Sequence, residues 1–542
     1  MRLFAIRFAV ILFCQKVVLS ELYTALVDLK EVLYTEGVLI KTLETYIHAE
    51  TTKLKLLQRY VDLYKSQHQL ASEDVDTYVA NPINAYLLIK RLTADWRQVE
   101  SLLHMNLVQE TVANISAYKE YLKFPTDEDL NGAAVALTRL QDTYKLDTSS
   151  LARGELNGVK YSSELSATDC FELGRQSYNN GDFYHTQLWM TEADSRLGRE
   201  KNETIDKSEI LEYLAFSTFK LGDVPLALDL TNKLLEIYPN HPRAVNNKNY
   251  YESALAKTQG AHKKGDDNAY DVPIVSDMPV YSDSLDPPER TLYEQLCRGE
   301  VKTPVEITSK LKCYYYNKNR DPFLLLAPFK VEEAYKDPDI FIFHDVMYDE
   351  EIETIKNMAR PRFKRATVQN YKTGELETAQ YRISKSAWLK EIEHKHVANV
   401  CKRVVDMTGL TVETAEELQV VNYGIGGHYE PHFDFARRDE VNAFKSLGTG
   451  NRIATVLFYM SDVAQGGATV FPHLKLALWP KKGTAAFWYN LHSSGDGHIL
   501  TRHAACPVLA GSKWVSNKWI HEMGQEFRRP CDLQPPPPEL TI

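Results

Sequence analysis

The sequence has no excess of positive charge and, beyond its first twenty residues, no long apolar run. Its 63 Lys and Arg against 73 Asp and Glu give a formal net charge of −10, which argues against a nucleic-acid partner. No later stretch is apolar enough to cross a bilayer, so we expect no membrane span. The composition, 44% hydrophobic and 25% charged, is typical of a globular protein, and 542 residues predict several domains.

Cysteine is also scarce. Beyond the N-terminal segment the chain has only Cys170, Cys297, Cys313, Cys401, Cys506 and Cys531. Cys297 and Cys313 enclose a short segment, as do Cys506 and Cys531, so we predict two local disulfides in an oxidising compartment. The other two cysteines lie in apolar, helical contexts and are expected to be free and buried.

The N-terminus has the pattern of a secretory signal peptide at residues 1–20. Two arginines precede an apolar run at residues 8–14, and small residues precede a cleavage site after Ser20. A buried N-terminal helix is the alternative. The sequons at Asn114 and Asn202 predict glycosylation and fit the same compartment. Since the chain ends Pro-Glu-Leu-Thr-Ile and carries no retrieval signal, a lumenal resident would need a partner to retain it.

Residues 21–65 carry a heptad pattern with two apolar seams. One seam consists of Leu26, Leu33, Ile40, Ile47, Leu54 and Val61, and the other of Leu22, Leu29, Glu36, Leu43, Glu50, Leu57 and Tyr64. Such a sustained repeat predicts a coiled coil, with an antiparallel helix hairpin inside one chain as the alternative. We therefore expect a helical, dimerising domain at residues 21–160.

Residues 168–256 contain a degenerate repeat. Each copy has aromatic residues followed by Gly-Asp, at Gly181-Asp182 and Gly222-Asp223, which is typical of tetratricopeptide helix pairs. Residues 193–207 read as an inserted polar loop. We expect a tetratricopeptide-like domain at residues 161–258, followed by a charged, proline-rich linker at residues 259–330 that includes a local disulfide.

Beyond residue 325 the pattern changes to short β-branched and aromatic runs between glycine turns, such as residues 453–459 and 483–489. This pattern predicts a mainly-β barrel or jelly roll at residues 331–532. A proline-rich tail, residues 533–542, follows it.

The β region contains a His-x-Asp pair, His432 and Asp434, and a distant His503. In a strand, residues i and i+2 share a face, so the pair can bind one ion, and the second histidine completes a 2-His-1-carboxylate iron site. Lys513, beyond a Gly-Ser turn, could pair with the remote carboxylate of 2-oxoglutarate. A zinc hydrolase is disfavoured because Pro431 breaks any helix that would hold His428 and His432 as a ligand pair, and His428 reads as a flanking loop residue.

Five short stretches of this region form a specific pattern. They are Tyr-Glu-Pro-His-Phe-Asp (429–434), Gly-Asn-Arg-Ile-Ala-Thr (450–455), Gly-Gly-Ala-Thr-Val-Phe-Pro (466–472), Arg-His-Ala-Ala-Cys-Pro (502–507) and Asn-Lys-Trp-Ile-His-Glu (517–522). In these stretches, and over almost the whole mature chain, the sequence resembles the α-subunit family of animal collagen prolyl 4-hydroxylases.

The resemblance implies a procollagen-proline 4-dioxygenase that uses Fe(II), 2-oxoglutarate, O₂ and L-ascorbate and acts on X-Pro-Gly repeats. It implies His432, Asp434 and His503 as iron ligands, Lys513 as the partner of the 2-oxoglutarate carboxylate, and an auxiliary catalytic role for His521 near the co-substrate. It also implies an α₂β₂ assembly in the endoplasmic reticulum lumen, with protein disulfide isomerase as the β subunit and α–α contact through the coiled coil.

The resemblance further implies an aromatic groove for proline-rich peptides in the tetratricopeptide-like domain. The matching positions are Tyr213, Phe216, Phe219 and Tyr250, with Arg243 and Asn247 nearby. Phe216 and Phe219 stand where the family has tyrosines, so ring stacking on polyproline II is retained and two hydroxyl groups are lost. The alternative is that these rings belong to an ordinary helix-pair core.

Two other functions compete with this interpretation. A lysyl hydroxylase would share the iron site, but an aromatic groove suited to polyproline II argues against lysine as the target. A chaperone subunit without activity would hold collagen-like chains only, and the complete ligand set with Lys513 argues against it.

Overall fold

The computed structural model describes residues 22–200, 205–262, 287–318, 320–369, 376–379, 381–440, 443–445 and 447–533. The signal-peptide prediction and the sequon at Asn202 lie outside these residues, whereas Asn114 is exposed on a helix. Residues 27–126 form one compact unit, and residues 1–26 with 127–542 form a second. Among the described helices, none combines the length and apolarity needed to cross a membrane.

The smaller unit is entirely helical. Its helices are α1 (Leu26–Glu73), α2 (Val75–Ala80), α3 (Pro82–Lys90), α4 (Trp96–His104) and α5 (Leu107–Tyr118). A π-helical turn at Arg91–Asp95 joins α3 to α4. The N-cap residues of α2, α3 and α5 are Asp74, Asn81 and Asn106. The side chain of each accepts hydrogen bonding from backbone N–H groups in the first turn of its helix, which stabilises the helix start.

The two seams of α1 have different environments within this unit. The seam that includes Leu33, Ile40 and Leu54 is exposed, by 66%, 51% and 62%. The other seam packs near its C-terminal end inside the chain, where Tyr64 stacks on Trp96 with ring centroids 6.2 Å apart. The predicted long helix is confirmed. One of its faces packs within the chain near the C-terminal end, as in the hairpin alternative. The open seam leaves pairing with a second chain as a prediction.

The larger unit begins with helices that lead into the repeat. They are α6 (Asp127–Tyr144) and α7 (Thr148–Ala152), the short strands β1 (Glu155–Leu156) and β2 (Val159–Lys160), and then α8 (Ala167–Asn179), α9 (Phe183–Leu197), α10 (Lys207–Lys220), α11 (Val224–Ile237) and α12 (Pro242–His262). Asp182 and Asp223 cap α9 and α11 directly after the left-handed glycines of the Gly-Asp turns. The tetratricopeptide-like helix pairs are therefore confirmed.

The polar insertion inside the repeat is shorter than predicted. Helix α9 continues to Leu197, so residues 193–197 are helical and α10 begins at Lys207. The prediction of a loop from residue 193 is wrong because Ala193 and Leu197 are buried against the helix-pair core despite their polar neighbours.

The described C-terminal part of the larger unit combines five α-helices with two principal antiparallel sheets and two two-stranded sheets. The helices are α13 (Pro287–Cys297), α14 (Val305–Thr308), α15 (Pro322–Leu326), α16 (Asp349–Ala359) and α17 (Lys395–Thr408). The strands are β3 (Cys313–Tyr316), β4 (Phe329–Tyr335), β5 (Ile340–His344), β6 (Lys364–Arg365), β7 (Thr367–Gln369), β8 (Leu376–Thr378), β9 (Arg382–Ile383), β10 (Lys385–Leu389), β11 (Leu418–Tyr423), β12 (His428–His432), β13 (Arg452–Tyr459), β14 (Gln465–Gly466), β15 (Thr469–Phe471), β16 (Leu476–Leu478), β17 (Ala485–Tyr489), β18 (His503–Ala505), β19 (Val508–Ala510) and β20 (Lys513–His521).

The two principal sheets enclose the core that carries the site. One has nine strands in the order β3-β4-β5-β17-β13-β20-β11-β10-β6, and the other has five in the order β16-β15-β18-β12-β9. The two-stranded sheets are β7-β8 and β14-β19. Phe471 of the smaller sheet packs with Leu457 and Trp488 of the larger one in a single buried cluster. This arrangement confirms the mainly-β jelly roll.

The boundary predicted at residue 330 needs correction. Residues 287–330 contain α13 and β3, and β3 forms the edge of the nine-stranded sheet rather than part of a linker. The strand was missed because Cys313, Tyr314 and Tyr315 are all exposed, so the apolar alternation typical of a half-buried strand is lacking.

The disulfide prediction is wrong in its pairing. Cys297 bonds to Cys506, with Cα atoms 5.5 Å apart, whereas Cys313 and Cys531 are free and exposed. The reason is tertiary: α13 joins the hydrophobic core cluster that includes strands β15 and β18, which brings its last residue to the turn after β18. The remaining cysteines, at positions 170 and 401, are free and buried, as predicted.

This connectivity can be tested by peptide mapping. A non-reducing digest of the full-length protein should contain a cross-linked peptide pair that joins Cys297 to Cys506 and disappears on reduction. Cys313→Ser should leave this pair intact, whereas Cys506→Ser should abolish it and lower the free energy of unfolding by about 2–5 kcal/mol. A peptide pair joining Cys297 to Cys313 would contradict the structure.

Candidate metal centre

Two neighbouring strands bring the predicted ligands together. His432 ends β12 and faces His503, the first residue of β18, in the antiparallel register. Asp434 follows two residues after His432, so its carboxylate lies 3.8 Å from His432 Nε2 and 3.6 Å from His503 Nε2. The ligand atoms of all three residues lie within 4.8 Å of one another.

Backbone carbonyls orient both imidazoles. His432 Nδ1 lies 2.7 Å from the carbonyl oxygen of Glu430, and His503 Nδ1 lies 3.0 Å from that of Thr501. A carbonyl can only accept, so each Nδ1 carries the proton and each Nε2 keeps a lone pair directed at the carboxylate. This is the tautomer that binds a metal ion.

The charge state of the cluster also suits a cation. Burial raises the pKa of the Asp434 carboxyl, but His503, His432 and Arg452 outweigh it and bring that pKa to about 2. Burial holds the pKa of His432 well below its usual range. A buried carboxylate therefore faces an unprotonated imidazole, an arrangement that a divalent ion would complete.

A buried hydroxyl also fixes the carboxylate. Thr455 on β13 donates its hydroxyl hydrogen to Asp434 Oδ2 at 2.7 Å and accepts a bond from Asn490 Nδ2 at 2.9 Å. Arg452 donates to the backbone carbonyl of Asp434 at 3.2 Å. Thr455 lies in the 450–455 stretch that carries the family resemblance, but the sequence alone assigned no function to this residue.

Aromatic rings enclose the two imidazoles. The Tyr429 ring stacks on His432 with centroids 3.5 Å apart, and the Arg382 guanidinium lies 4.7 Å from the Tyr429 centroid. Trp488 approaches His503 edge-on at 4.9 Å. These contacts restrict ring rotation; the His503 side chain is 8% exposed, whereas that of His432 is 17% exposed toward the wider cavity.

Lys513 begins β20 and lines the same inner cavity as the three ligand residues. Its side chain is buried, with only 1% of the residue exposed, and burial lowers its pKa to about 7. Within the described ranges no carboxylate forms an ion pair with it, and its Nζ lies 5.3 Å from the centroid of the Tyr423 ring. A buried cation without a counter-ion, beside a metal-ligand cluster, is suited to binding an acidic small molecule.

A second, wider cavity of about 600 Å³ meets the cluster from outside. It shares His432 and Asp434 with the inner cavity, so the ligand cluster lies where the two meet. Its other lining residues include several aromatic side chains, namely Tyr381, Trp388, Phe433 and Phe444. It is large enough to admit part of a peptide.

The donor set fits octahedral Fe(II). Two imidazole nitrogens and one carboxylate occupy one side of a site, as in 2-His-1-carboxylate centres, and leave the other positions open. Within the described part of the chain, His432, Asp434 and His503 are the one cluster with this property.

His521 lies elsewhere than expected. Its Nδ1 is 2.7 Å from the carbonyl oxygen of Gly450, and its Nε2 is 3.1 Å from Glu416 Oε1. Glu416 also pairs with Arg452, which reaches the Asp434 backbone. The structure therefore places His521 in a network behind the site, and its contact with a co-substrate stays a prediction.

His428 is not a loop residue, and that prediction is wrong. It begins β12 and is buried, and its Nδ1 lies 3.1 Å from the carbonyl oxygen of Gly426. It lines a separate small cavity with Arg139 and Glu294. Burial holds its pKa well below the usual range, so it is a neutral structural group.

The ring positions predicted for a peptide groove lie close together on α10 and α12. Tyr213, Phe216 and Phe219 are half-buried on α10, and Tyr250 on α12 is 60% exposed. The Phe219 and Tyr250 centroids are 5.6 Å apart. Of the two polar residues expected nearby, Arg243 is exposed and pairs with Glu212 at 2.9 Å, and Asn247 is half-buried.

Sequence reasoning missed two further rings at this surface and one beneath it. Tyr178 on α8 lies between Tyr213 and Phe216, with centroids 4.9 Å and 5.7 Å away, and Phe183 on α9 lies 6.0 Å from Phe216. Buried Tyr251 stacks beneath Phe219 at 4.6 Å. Tyr178 and Phe183 belong to the first repeat copy, and they match Phe219 and Val224 of the second copy. This match between the copies was the sequence signal that could have placed them in the groove. We call the partly exposed rings the aromatic row: Tyr178, Phe183, Tyr213, Phe216, Phe219 and Tyr250.

Comparisons with known proteins cover most of the chain. Three family models match: "Prolyl 4-Hydroxylase alpha-subunit, N-terminal region" at residues 25–158, "Prolyl 4-hydroxylase peptide-substrate-binding domain" at 167–257 and "2OG-Fe(II) oxygenase superfamily" at 418–521. Human prolyl 4-hydroxylase subunit alpha-1 is 49% identical over 513 residues, 94% of this chain and 95% of that protein. Prolyl 4-hydroxylase subunit alpha-2 of Caenorhabditis elegans is 51% identical over 517 residues, 95% of this chain and 94% of that protein.

Among solved structures, a viral collagen prolyl hydroxylase from Paramecium Bursaria Chlorella virus-1 aligns with 33% of this chain and 94% of its own. The sequence identity is 24% and the TM-score is 0.27.

The hydroxyl of Thr455 provides a test of how the carboxylate is held. Thr455→Val keeps the side-chain shape but removes the donor to Asp434, so affinity for Mn²⁺ should fall by about 10- to 100-fold. Thr455→Ser keeps the hydroxyl and should bind within a few-fold of the wild type. Calorimetric titration of both variants measures this, and equal affinity in all three proteins would contradict the orienting role.

Proposed function

The chain belongs to the prolyl 4-hydroxylase alpha-subunit family and is an Fe(II)- and 2-oxoglutarate-dependent dioxygenase, and from this premise we propose that it hydroxylates C4 of proline in X-Pro-Gly repeats of collagen-like chains. The observation that carries the proposal is the convergence of His432, Asp434 and His503 beside buried Lys513. With O₂ and 2-oxoglutarate, the iron supplies the oxidising chemistry that converts a C–H of proline to C–OH, while the co-substrate gives succinate and CO₂.

The protein residues bind, orient and shield. His432, Asp434 and His503 would hold Fe(II), with the orientation of the two imidazoles set by the Glu430 and Thr501 carbonyls. With only three protein ligands, a bound ion would keep positions available for the co-substrate and O₂. Stacked rings keep bulk water away from the centre, which limits unproductive oxidation.

Lys513 binds the remote carboxylate of 2-oxoglutarate. An ammonium with a lowered pKa regains its charge when a carboxylate enters the same low-dielectric cavity, and the pair then forms a strong charge-assisted hydrogen bond. His521 supports this site from the Glu416–Arg452 network, through which it positions the Asp434 backbone.

The substrate reaches the centre through the wider cavity, and the aromatic row holds a more distant part of the same chain. Rings stack on the flat faces of proline, and a polyproline II segment is preformed, so little conformational entropy is lost on binding. This preference for proline-rich chains favours a prolyl over a lysyl target. The chain thus has one site for chemistry and one for retaining a repetitive substrate.

The remaining assignments extend the same proposal. The protein works in the endoplasmic reticulum lumen, uses L-ascorbate to restore oxidised iron, and assembles with protein disulfide isomerase as an α₂β₂ tetramer. The exposed seam of α1, which includes Leu33, Ile40 and Leu54, supports α–α pairing through a coiled coil. We also assign the domains as a signal peptide, a dimerisation domain, a peptide-binding domain and an oxygenase domain that includes β3.

The activity is tested with purified full-length protein, Fe(II), 2-oxoglutarate and a (Pro-Pro-Gly)₁₀ peptide. One succinate should form for each oxygen atom added at C4 of proline, and His432→Ala, Asp434→Ala and His503→Ala should each abolish it. A lysine-containing peptide of equal length serves as the control. Turnover of that peptide, or near-normal turnover in any alanine variant, would overturn the proposal.

The pKa of Lys513 predicts a pH dependence for co-substrate binding. Binding needs the charged ammonium, whose fraction in the free site falls as pH rises through about 7. The Kd for 2-oxoglutarate, measured with Mn²⁺ without oxygen, should therefore rise by roughly 20-fold from pH 6.5 to 8.5. Lys513→Arg keeps its charge over this range and should show a much flatter profile. Equal slopes in both proteins would rule out this role.

The exposed ring of Tyr250 tests the aromatic row without disturbing the core. Tyr250→Ala should weaken binding of a nona-proline peptide to the full-length protein by about 2- to 12-fold, the equivalent of about 0.5–1.5 kcal/mol. Tyr238 is similarly exposed but lies outside the row, so Tyr238→Ala is the matched control. If both variants bind like the wild type in fluorescence anisotropy, the groove lies elsewhere.

A further inference from the structure

A short segment from the start of the chain packs against the end of strand β11. The backbone N–H groups of Gly424 and Ile425 donate to the carbonyl oxygens of Thr24 and Tyr23, at 3.0 Å and 3.2 Å. Both Tyr23 and Thr24 are buried, and they belong to the same compact unit as β11. We call residues 23–26 the N-terminal segment.

Two glycines leave room for the N-terminal segment. A Cβ at Gly424 would overlap the backbone of residues 23–25, and a Cβ at Gly132 on α6 would overlap the ring of Tyr23. The φ of Gly424 is not in the left-handed region, so its backbone conformation does not itself require glycine. The close approach of the segment is therefore what the absent side chain accommodates at this position.

A buried amide connects the N-terminal segment to Lys513. Asn422 on β11 is fully buried, and its Oδ1 accepts a hydrogen bond from the backbone N–H of Leu26 at 3.0 Å. Its Nδ2 donates to the backbone carbonyl oxygen of Lys513 at 3.3 Å. Since the N–H of Leu26 can only donate and the carbonyl of Lys513 can only accept, the two partners together define the orientation of the amide.

The next residue along β11 faces the Lys513 side chain. Tyr423 pairs with Lys513 in the antiparallel register of β11 and β20, and its ring centroid lies 5.3 Å from Lys513 Nζ. Both residues line the inner cavity together with the three metal-ligand candidates. The N-terminal segment bonds to Asn422 on one side of Tyr423 and to Gly424 on the other. It therefore restrains the backbone on both sides of a ring that lies beside the ammonium.

We propose that Asn422, held by the N-terminal segment, is a positioning residue for 2-oxoglutarate: it fixes the backbone of Lys513 and so sets where the ammonium lies in the inner cavity. The inference rests on the proposed function of Lys513 as the partner of the remote carboxylate. A displaced ammonium keeps its charge but no longer meets that carboxylate at hydrogen-bond distance, so binding of the co-substrate weakens. The three metal ligands lie on other strands and are not part of this contact.

The experiment compares two ligands of the full-length protein loaded with Mn²⁺, by calorimetric titration. 2-Oxobutyrate has the same 2-oxo acid end as 2-oxoglutarate but lacks the remote carboxylate, so its affinity does not depend on Lys513. Asn422→Ala should raise the Kd for 2-oxoglutarate by about 4- to 12-fold, the effect of losing roughly one net hydrogen bond. The same variant should leave the Kd for 2-oxobutyrate and the affinity for Mn²⁺ unchanged.

A second variant disturbs the same contact from the side of the N-terminal segment. Gly424→Ala places a Cβ against the backbone of residues 23–25 and should produce the same selective loss of affinity for 2-oxoglutarate. Gly198→Ala is the matched control, because a Cβ at Gly198 has no neighbour within 4 Å. It should bind both ligands like the wild type.

A selective loss in both Asn422→Ala and Gly424→Ala supports the proposal. Equal losses for the two ligands, no loss for either, or a Gly424→Ala variant that behaves like Gly198→Ala would overturn it. If the wild type binds 2-oxoglutarate no more tightly than 2-oxobutyrate, the proposed function of Lys513 itself fails, and the positioning role of Asn422 fails with it.

Discussion

The structure of the site depends on one buried carboxylate. Asp434 is ionised in a low-dielectric interior, and three contacts make this tolerable: two imidazole nitrogens and the Thr455 hydroxyl. The pairing of β12 with β18 supplies His432 and His503, and β13 supplies the hydroxyl. The antiparallel jelly roll is thus the frame that brings distant residues to a single anion, and a divalent ion completes its neutralisation.

A second unbalanced charge lies in the same cavity. Lys513 is buried without a counter-ion among the described residues, and the cost of this burial is visible in its pKa of about 7. Desolvating an unpaired ammonium is unfavourable. An acidic ligand that enters the cavity offsets this cost because its carboxylate pairs with the ammonium of Lys513. We propose that the cluster of His432, Asp434 and His503 and the nearby Lys513 are complementary halves of one binding site for 2-oxoglutarate, the co-substrate of the superfamily that residues 418–521 match.

Local patterns predicted the parts of the chain that local forces determine. The heptads of α1, the Gly-Asp turns of the repeat and the His-x-Asp pair all reflect spacing along one element, and the structure contains each element. Long-range packing decided the rest. Cys297 meets Cys506 across 209 residues, and β3 joins a sheet without any apolar alternation of its own. Thr455 offered no signal beyond its place in a family pattern, because its role depends on a contact between β13 of the nine-stranded sheet and the residues that follow β12 of the five-stranded sheet.

We propose that one cavity holds the metal through three protein ligands and the co-substrate through Lys513. The most direct measurement is a crystal structure of the full-length protein grown without oxygen in Mn²⁺ and 2-oxoglutarate. It should show a single ion bound by His432, Asp434 and His503, with the remote carboxylate of 2-oxoglutarate about 2.8 Å from Lys513 Nζ. An ion bound elsewhere, or a co-substrate whose remote carboxylate avoids Lys513, would contradict the account.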